Sequence, residues 1–166
     1  MIWGAPAFAN ATELEFGIPI SLSMIDIHTI GAGGGSIARL DRGNILQVGA
    51  ESTGAEPGPA CYGKGGTEPT VTDANLVLGR INANFPIAGT PGAHLDTQQA
   101  CTVIEEKIGQ KLHLSAEEAA RAIVTVANNR IAGSIRRISI DRGHDPRDFV
   151  LFCFGGGGAL LVCFLL

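Results

Sequence analysis

The sequence predicts a mixed α/β domain. Three observations carry the prediction: a strand-like alternation followed by a hairpin in the first third, two apolar stripes at helical spacing behind capping signals in the second half, and glycine-rich segments that separate them. Composition agrees. A chain of 166 residues, 45% hydrophobic and 17% charged, can bury a core as one domain or as a piece of a larger one.

The elements follow in order. Residues 1–16 show no clear periodicity. From Met24 to Ile30 (MIDIHTI) apolar and polar residues alternate at the pleat period, which predicts a strand. Ser36–Asp41 and Ile45–Ala50 are expected to pair as a hairpin around Asp41-Arg42-Gly43-Asn44, because Gly and Asn tolerate the positive φ of tight turns. Glu51–Thr70, with five glycines and three prolines, excludes regular structure. Thr72 or Asp73 is expected to cap a short helix that runs through Leu78 and ends at Gly79. Asp96 with Gln99 suggests a capping box, and Ala100, Val103, Ile104 and Ile108 repeat at helical spacing until Gly109. Ser115 with Glu118 is a second box, and behind it Ala119, Ala122, Ile123, Val126, Ala127, Ile131 and Ile135 form one stripe. The polar segment Asp141–Asp148 then leads to a predicted strand, Phe149–Phe154, and a turn at Gly155–Gly158.

Charge and cysteine content narrow the functional classes. Twelve basic and sixteen acidic residues leave a net charge of −4 and no basic stripe to displace phosphate counterions, which argues against nucleic acid as a partner. Cys61, Cys101, Cys153 and Cys163 lack CxxC or zinc-finger spacing, and no secretory signal precedes them. Reduced thiols and a cytoplasmic location are the expectation. Phe149–Leu166 is uncharged over eighteen residues, but its four central glycines would weaken a spanning helix by roughly 1 kcal/mol each, so no membrane anchor is expected.

Several residue groups carry potential chemistry. The amides of Gly31-Ala32-Gly33-Gly34-Gly35-Ser36 follow a predicted strand and could cradle an anion as a backbone nest. No GK[ST] follows and the run leads into a strand, so neither a Walker A loop nor a dinucleotide fingerprint fits. The plainer alternative is a close-packed entry to the hairpin. Asp26 and His28, two apart on the predicted strand, share a face and suit acid/base work or a metal contact, although two ligands do not make a site. Glu51, Glu56 and Glu68 lie beside flexible glycines, where carboxylates can hold water or magnesium or simply face solvent. Cys61 has Lys64 nearby to lower its pKa but no histidine close in sequence. Asp145-Pro146 is expected to fix a turn with Arg142 or Arg147 pairing a carboxylate, leaving His144 little catalytic role. Gly155 to Gly158, placed directly after a predicted buried strand, would let a nucleotide lie against backbone.

Taken together, Asp26–Ser36 (DIHTIGAGGGS), Gly54–Tyr62 (GAEPGPACY), Gly65–Gly79 (GGTEPTVTDANLVLG), Arg142–Asp148 (RGHDPRD) and Phe154–Gly156 (FGG) resemble the hydantoinase A/oxoprolinase family. This family includes ATP-dependent N-methylhydantoinases, 5-oxoprolinases and subunits of acetone-type carboxylases. The resemblance covers residues 17–158, leaving 1–16 as a poorly defined segment and 159–166 as an atypical apolar tail. It implies part of one lobe of an actin/Hsp70/sugar-kinase-like, ribonuclease H-like ATPase fold. The implied chemistry uses ATP and magnesium to phosphorylate the oxygen of a cyclic amide (a hydantoin or 5-oxoproline), so that water can open the ring. Gly33, Gly34, Gly35 and Ser36, with Gly155, Gly156 and Gly157, are the implied nucleotide contacts, and Asp26 and His28 the implied catalytic pair. A hydantoinase B-like subunit is the implied partner. Family members are several times longer, and the expected upstream nucleotide-binding half and the polar, histidine-containing continuation after Gly156 are not in this sequence, so a fragment or frameshifted product is expected. An ATP-using carboxylase subunit acting on a ketone, and a non-catalytic remnant that only binds a partner, remain open alternatives.

Overall fold

A computed structural model describes residues 29–84 and 94–161 in full, together with the backbone pairing of four two-residue strands before them. Those strands form two antiparallel ladders: β1 (Phe8–Ala9) with β4 (Met24–Ile25), and β2 (Thr12–Glu13) with β3 (Pro19–Ile20). The predicted strand Met24–Ile30 is therefore present at Met24–Ile25 and absent at Thr29–Ile30, where the chain already bends toward Gly31. Asp26 and His28 lie outside the described residues.

The hairpin forms as its pattern predicts. β5 (Ser36–Leu40) pairs antiparallel with β6 (Leu46–Ser52), with Ala38 opposite Val48 and Leu40 opposite Leu46. Asn44 takes the positive φ of 58° in the connecting turn, and the Asp41 carboxylate accepts the amides of Gly43 and Ile45. A register irregularity between Ser36 and Ala38 coincides with Gly49 at φ 70°, a conformation open to glycine without a Cβ penalty.

Behind the hairpin lie helices. α1 (Val71–Val77) is capped by Thr70, two residues before Thr72 and three before Asp73, the predicted caps, and Asp73 is instead its reciprocal box partner. Gly79, at φ 68°, follows its end as expected. α2 (Thr97–Ile104) starts on Asp96, whose carboxylate accepts the Gln99 amide. It does not stop at Gly109. A π-type segment, Glu105–Gly109, carries the helical path into α3 (Gln110–Leu112), which ends at His113 with φ 56°. A Cβ at Gly109 would stand 2.8 Å from the Leu114 carbonyl oxygen, so the glycine serves close approach inside the helix, not termination. α4 (Ala116–Asp141) carries the full Ser115/Glu118 box and buries Ala119, Ala120, Ile123, Val124, Ala127, Asn128 and Ile131. These side chains, with Ala38, Val48, Val71, Ala74, Ile104 and Ile108, make the main core between the hairpin and the helices. A smaller cluster joins Cys61, Leu76, Ile81 and Ala100.

The C-terminal prediction needs correction. Phe149–Phe154 is not a strand: a 3-10 turn at Pro146–Asp148 leads into an irregular run in which Val150, Phe152 and Phe154 are largely exposed. Nor is Gly155–Gly158 a turn. After Gly155, at φ 78°, these glycines open α5 (Gly155–Leu161). A short continuous apolar run becomes a strand only when a neighbouring ladder accepts it, and no described strand lies beside this one. The poor helix propensity of the glycines is offset by Leu161, buried in the main core, and Leu160, packed against both clusters.

Candidate functional site

The segment Glu51–Thr70 is held by one carboxylate. Asp73 is fully buried and accepts four hydrogen bonds: Cys61 N at 2.8 Å, Ala60 N at 3.3 Å, Thr70 N at 2.9 Å and Thr70 Oγ1 at 2.7 Å. Two donors lie on the glycine/proline loop and two at the start of α1, so this side chain closes the loop against the helix. Asn75, also buried, turns its amide back to the Val71 carbonyl. A Cβ at Gly66 would fall on the Gly58 carbonyl oxygen, so the loop strands lie too close for any side chain there. These polar residues stood in the motif, but nothing in their spacing marked Asp73 as the hub, because its donors come from backbone twelve and thirteen residues away.

That clasp positions the first glycine cluster. Thr72 N donates to the Gly34 carbonyl at 2.9 Å, and Thr53 N donates to the Gly35 carbonyl at 3.0 Å. Gly33 N donates to Ser36 Oγ at 2.9 Å, and Ser36 N donates to the Gly33 carbonyl at 3.1 Å. A Cβ at Gly34 would stand 2.7 Å from Thr72 Oγ1, and one at Gly35 2.8 Å from Ser52 Oγ. The two glycines thus permit tight packing on their scaffold side, as the plainer sequence alternative proposed. Their carbonyls are committed to the scaffold, whereas among the described residues no acceptor meets the Gly34 or Gly35 amide. Gly33 has open space where a Cβ would be.

The second cluster lies against the first. A Cβ built on Gly157 would be 3.9 Å from Gly34 N, although the two residues are more than a hundred positions apart in the chain. The structure therefore brings together Gly34 and Gly157 from the predicted nucleotide contacts. The two segments meet in close approach, and the Gly34 amide there has no acceptor among the described residues. Such a surface suits an anionic or planar group that must approach main chain closely.

The other candidates separate from this junction or lose their chemistry. Cys61 is buried; burial first, and then the neighbouring Asp73 carboxylate, push its thiol well above the ordinary thiol range, opposite to the lowering expected from Lys64. A thiol so placed is a packing group, not a nucleophile. Cys101 and Cys153 are also free thiols. Glu51 pairs with Arg39 at 2.6 Å and Glu68 with Lys107 at 3.0 Å, both exposed pairs of surface type. Asp145 caps the Pro146 turn, and the Arg147 guanidinium, hydrogen-bonded to its carboxylate at 2.6 Å, holds its pKa down at about 2. His144 packs edge-on against Phe149. Among the described residues no three His, Cys, Asp or Glu side chains converge on a metal position, and no helix is long and apolar enough to cross a membrane.

Comparison with known proteins adds a family to this geometry. The Hydantoinase/oxoprolinase family model matches residues 1–166. The chain is 50% identical over 143 residues to caprolactamase subunit alpha of Pseudomonas jessenii, which covers 86% of this chain and 20% of that protein. It is 46% identical over 140 residues to the acetophenone carboxylase gamma subunit of Aromatoleum aromaticum, with 84% and 19% covered. The crystal structure of ATP-dependent caprolactamase from Pseudomonas jessenii superposes with a TM-score of 0.83 at 47% identity, over 95% of this chain and 22% of that one. The chain thus spans about a fifth of the length of these relatives.

Proposed function

The chain belongs to the hydantoinase/oxoprolinase family, and from that premise we propose that it forms one wall of the nucleotide site in an ATP-dependent cyclic-amide hydrolase. The observation that carries the proposal is the approach of Gly157 to the Gly34 amide. It creates a backbone cradle that any side chain at Gly157 would narrow. In this reading the chain is part of one lobe of an actin/Hsp70-like fold.

Magnesium-ATP, when bound, would supply the phosphoryl group that activates the amide oxygen, so that one water could add at that carbon and break the ring C–N bond while a second released phosphate; the net change would convert the cyclic amide, ATP and two waters into the ring-opened acid, ADP and phosphate. This chain's residues bind and orient. Gly34 and Gly35 offer amide donors, and their carbonyls are tethered by Thr72 and Thr53 so that the loop does not reorganise when charge arrives. Gly33, Ser36, Gly155 and Gly156 extend the cradle on either side. Asp26 and His28, as the polar pair preceding the loop, are the proposed acid/base groups. The remaining four-fifths of the length seen in relatives would supply the other wall, and a hydantoinase B-like subunit the partner.

A second reading, an ATP-using carboxylase subunit acting on a ketone, draws support from the 46% identity to the acetophenone carboxylase gamma subunit. Both readings need the same nucleotide wall. Calorimetric titration of the folded chain with magnesium-ATP tests it: saturable binding is expected, weakened about tenfold or more in Gly157→Ala, whose added methyl makes only ordinary contact at 3.9 Å and leaves the fold intact. Absence of saturable binding to the folded parent, or equal binding by the variant, would overturn the proposal.

A further inference from the structure

A groove of about 440 Å³ runs along one face of α4, on the side where Thr29 and Ile30 lead into the first glycine cluster. Its polar lining comes from Thr29, Asn129, Arg130, Ser134 and Arg137, and Gly133 widens it by having no Cβ where only open space lies. Positions 130, 133, 134 and 137 follow the three- and four-residue spacing of one helix face, so the two guanidinium groups project from the same side about two turns apart.

Arg130 is anchored. Its Nη1 donates to the Val48 carbonyl at 2.7 Å, tying α4 to β6. The same nitrogen lies near the corner where Gly31 and Ser36 meet Gly49: a Cβ on Gly49 would be 3.4 Å from it, 3.5 Å from Ser36 Oγ and 2.7 Å from the Gly31 carbonyl oxygen. One nitrogen of the guanidinium is thus committed, while its planar fork holds further donors. Arg137 is exposed. Arg39, Arg121 and Arg147 each sit on a carboxylate, whereas among the described residues no carboxylate meets Arg130 or Arg137. In a chain of net charge −4, two guanidiniums line one groove with no carboxylate partner among the described residues. Ser134 cannot supply a donor, because its hydroxyl donates to the Arg130 carbonyl at 3.0 Å. The amide NH2 of Asn129 and the hydroxyl of Thr29 can.

We infer that this groove is a binding site for a small carboxylate anion, held between Arg130 and Arg137. Planar forks match carboxylates with two parallel N–H···O bonds, which favours a carboxylate over a spherical halide. The volume suits a ligand of small-molecule size. Neither Gly34 nor Gly157 lines the groove, and the site does not need a nucleotide.

The test is an NMR titration of the full chain with sodium succinate at fixed ionic strength, without nucleotide, following the Gly133 and Arg137 amides and the arginine Nε–H signals. Saturable shifts confined to the groove are expected, with sodium chloride and sodium phosphate at equal ionic strength giving smaller, non-saturating ones. In Arg137→Gln, whose side chain is exposed and outside the core, the affinity should fall about tenfold, the loss of one charge-assisted contact. Arg130→Lys should weaken binding while keeping a cation near the Val48 carbonyl. Non-saturating succinate shifts, or equal affinity in Arg137→Gln, would overturn the assignment. Saturation by phosphate as tight as by succinate would overturn the carboxylate class.

Discussion

The carboxylate of Asp73 accepts the amide of Cys61 at 2.8 Å inside the smaller core, so an ionisable oxygen and a thiol share one dry site. This contact ties the glycine/proline loop to α1, and α1 in turn holds the Gly34 carbonyl through Thr72 N. The two conspicuous glycine-containing stretches of the first half therefore divide the labour. One is a clasp built around a buried acid, and the other is the surface that the clasp sets in place.

Removing the acid should damage more than one contact. Asp73→Ala leaves the amides of Ala60, Cys61 and Thr70 and the Thr70 hydroxyl without their acceptor in a buried site. A loss of about 3–5 kcal/mol in urea unfolding is expected. Asp73→Asn keeps the shape and one acceptor oxygen but turns an NH2 toward donors, so it should cost about 2 kcal/mol. A variant within about 0.5 kcal/mol of the parent would show that water replaces the carboxylate and that the clasp is not the organising contact.

Cys61 should resist alkylation. Its thiol is buried and its pKa is raised, first by burial and then by Asp73, so iodoacetamide at pH 8 should label Cys153 and Cys101 well before Cys61 in the native chain. The sign of the linkage follows from the same shift. Below the ordinary thiol value of 9.0 both folded and unfolded chains keep the proton, and the contribution is intact. As pH rises past that value the unfolded chain ionises while the folded one does not, so stability falls. Cys61→Ala should flatten this alkaline loss, as read by unfolding midpoints between pH 8 and 10.5.

The parts of the fold readable in the sequence were those set by local chemistry. Ser115/Glu118 capping and the Asn44 turn depend on residues within a few positions of one another, and each formed as predicted; the α4 stripe formed at Ala119, Ile123, Ala127 and Ile131, whereas Ala122, Val126 and Ile135 are only partly buried and Ala120, Val124 and Asn128 are buried beside it. The cap of α1 lies at Thr70 because Asp73 bonds both its hydroxyl and its amide, a reciprocal choice that Thr72 and Asp73 obscure in the sequence. Phe149–Phe154 is a continuous apolar run of strand length, but composition cannot supply a neighbouring ladder. The glycine clusters were legible as close-approach segments. Their juxtaposition was not, since nothing local connects Gly34 to Gly157.

Breaking the Asp145–Arg147 pair should be visible in titration and invisible in stability. Arg147 holds the Asp145 carboxyl down at about 2, through hydrogen bonds at 2.6 Å and 3.0 Å in an exposed turn. The pair is present above the ordinary carboxylate range and is lost only as pH falls through about 2. In Arg147→Gln the Asp145 side-chain resonance should titrate closer to the ordinary Asp value, with the backbone amide of residue 147 keeping part of the lowering. The unfolding midpoint at pH 7 should be unchanged, because both groups face solvent. An Asp145 titration curve that ignores the substitution would assign the lowered value to the turn's backbone amides instead.

Two glycines, one in the clasped loop and one in α4, should respond with opposite signs to the same added methyl. At Gly66 a Cβ would clash with the Gly58 carbonyl oxygen and stand 3.0 Å from Pro59 backbone, and both obstacles belong to the loop that Asp73 clamps. Neither can yield without breaking that clamp, so Gly66→Ala should cost about 2–4 kcal/mol. Gly133 lies in the interior of α4, exposed, with open space where its Cβ would go and no positive φ to preserve. There alanine restricts the unfolded chain and adds helix propensity at no steric cost, and Gly133→Ala should gain about 0.5–1 kcal/mol. Urea unfolding of both variants beside the parent reads the two signs directly. Destabilisation by Gly133→Ala would mean that α4 is held by contacts along the arginine groove that a methyl disturbs, and a neutral Gly66→Ala would mean that the loop can open around Gly58.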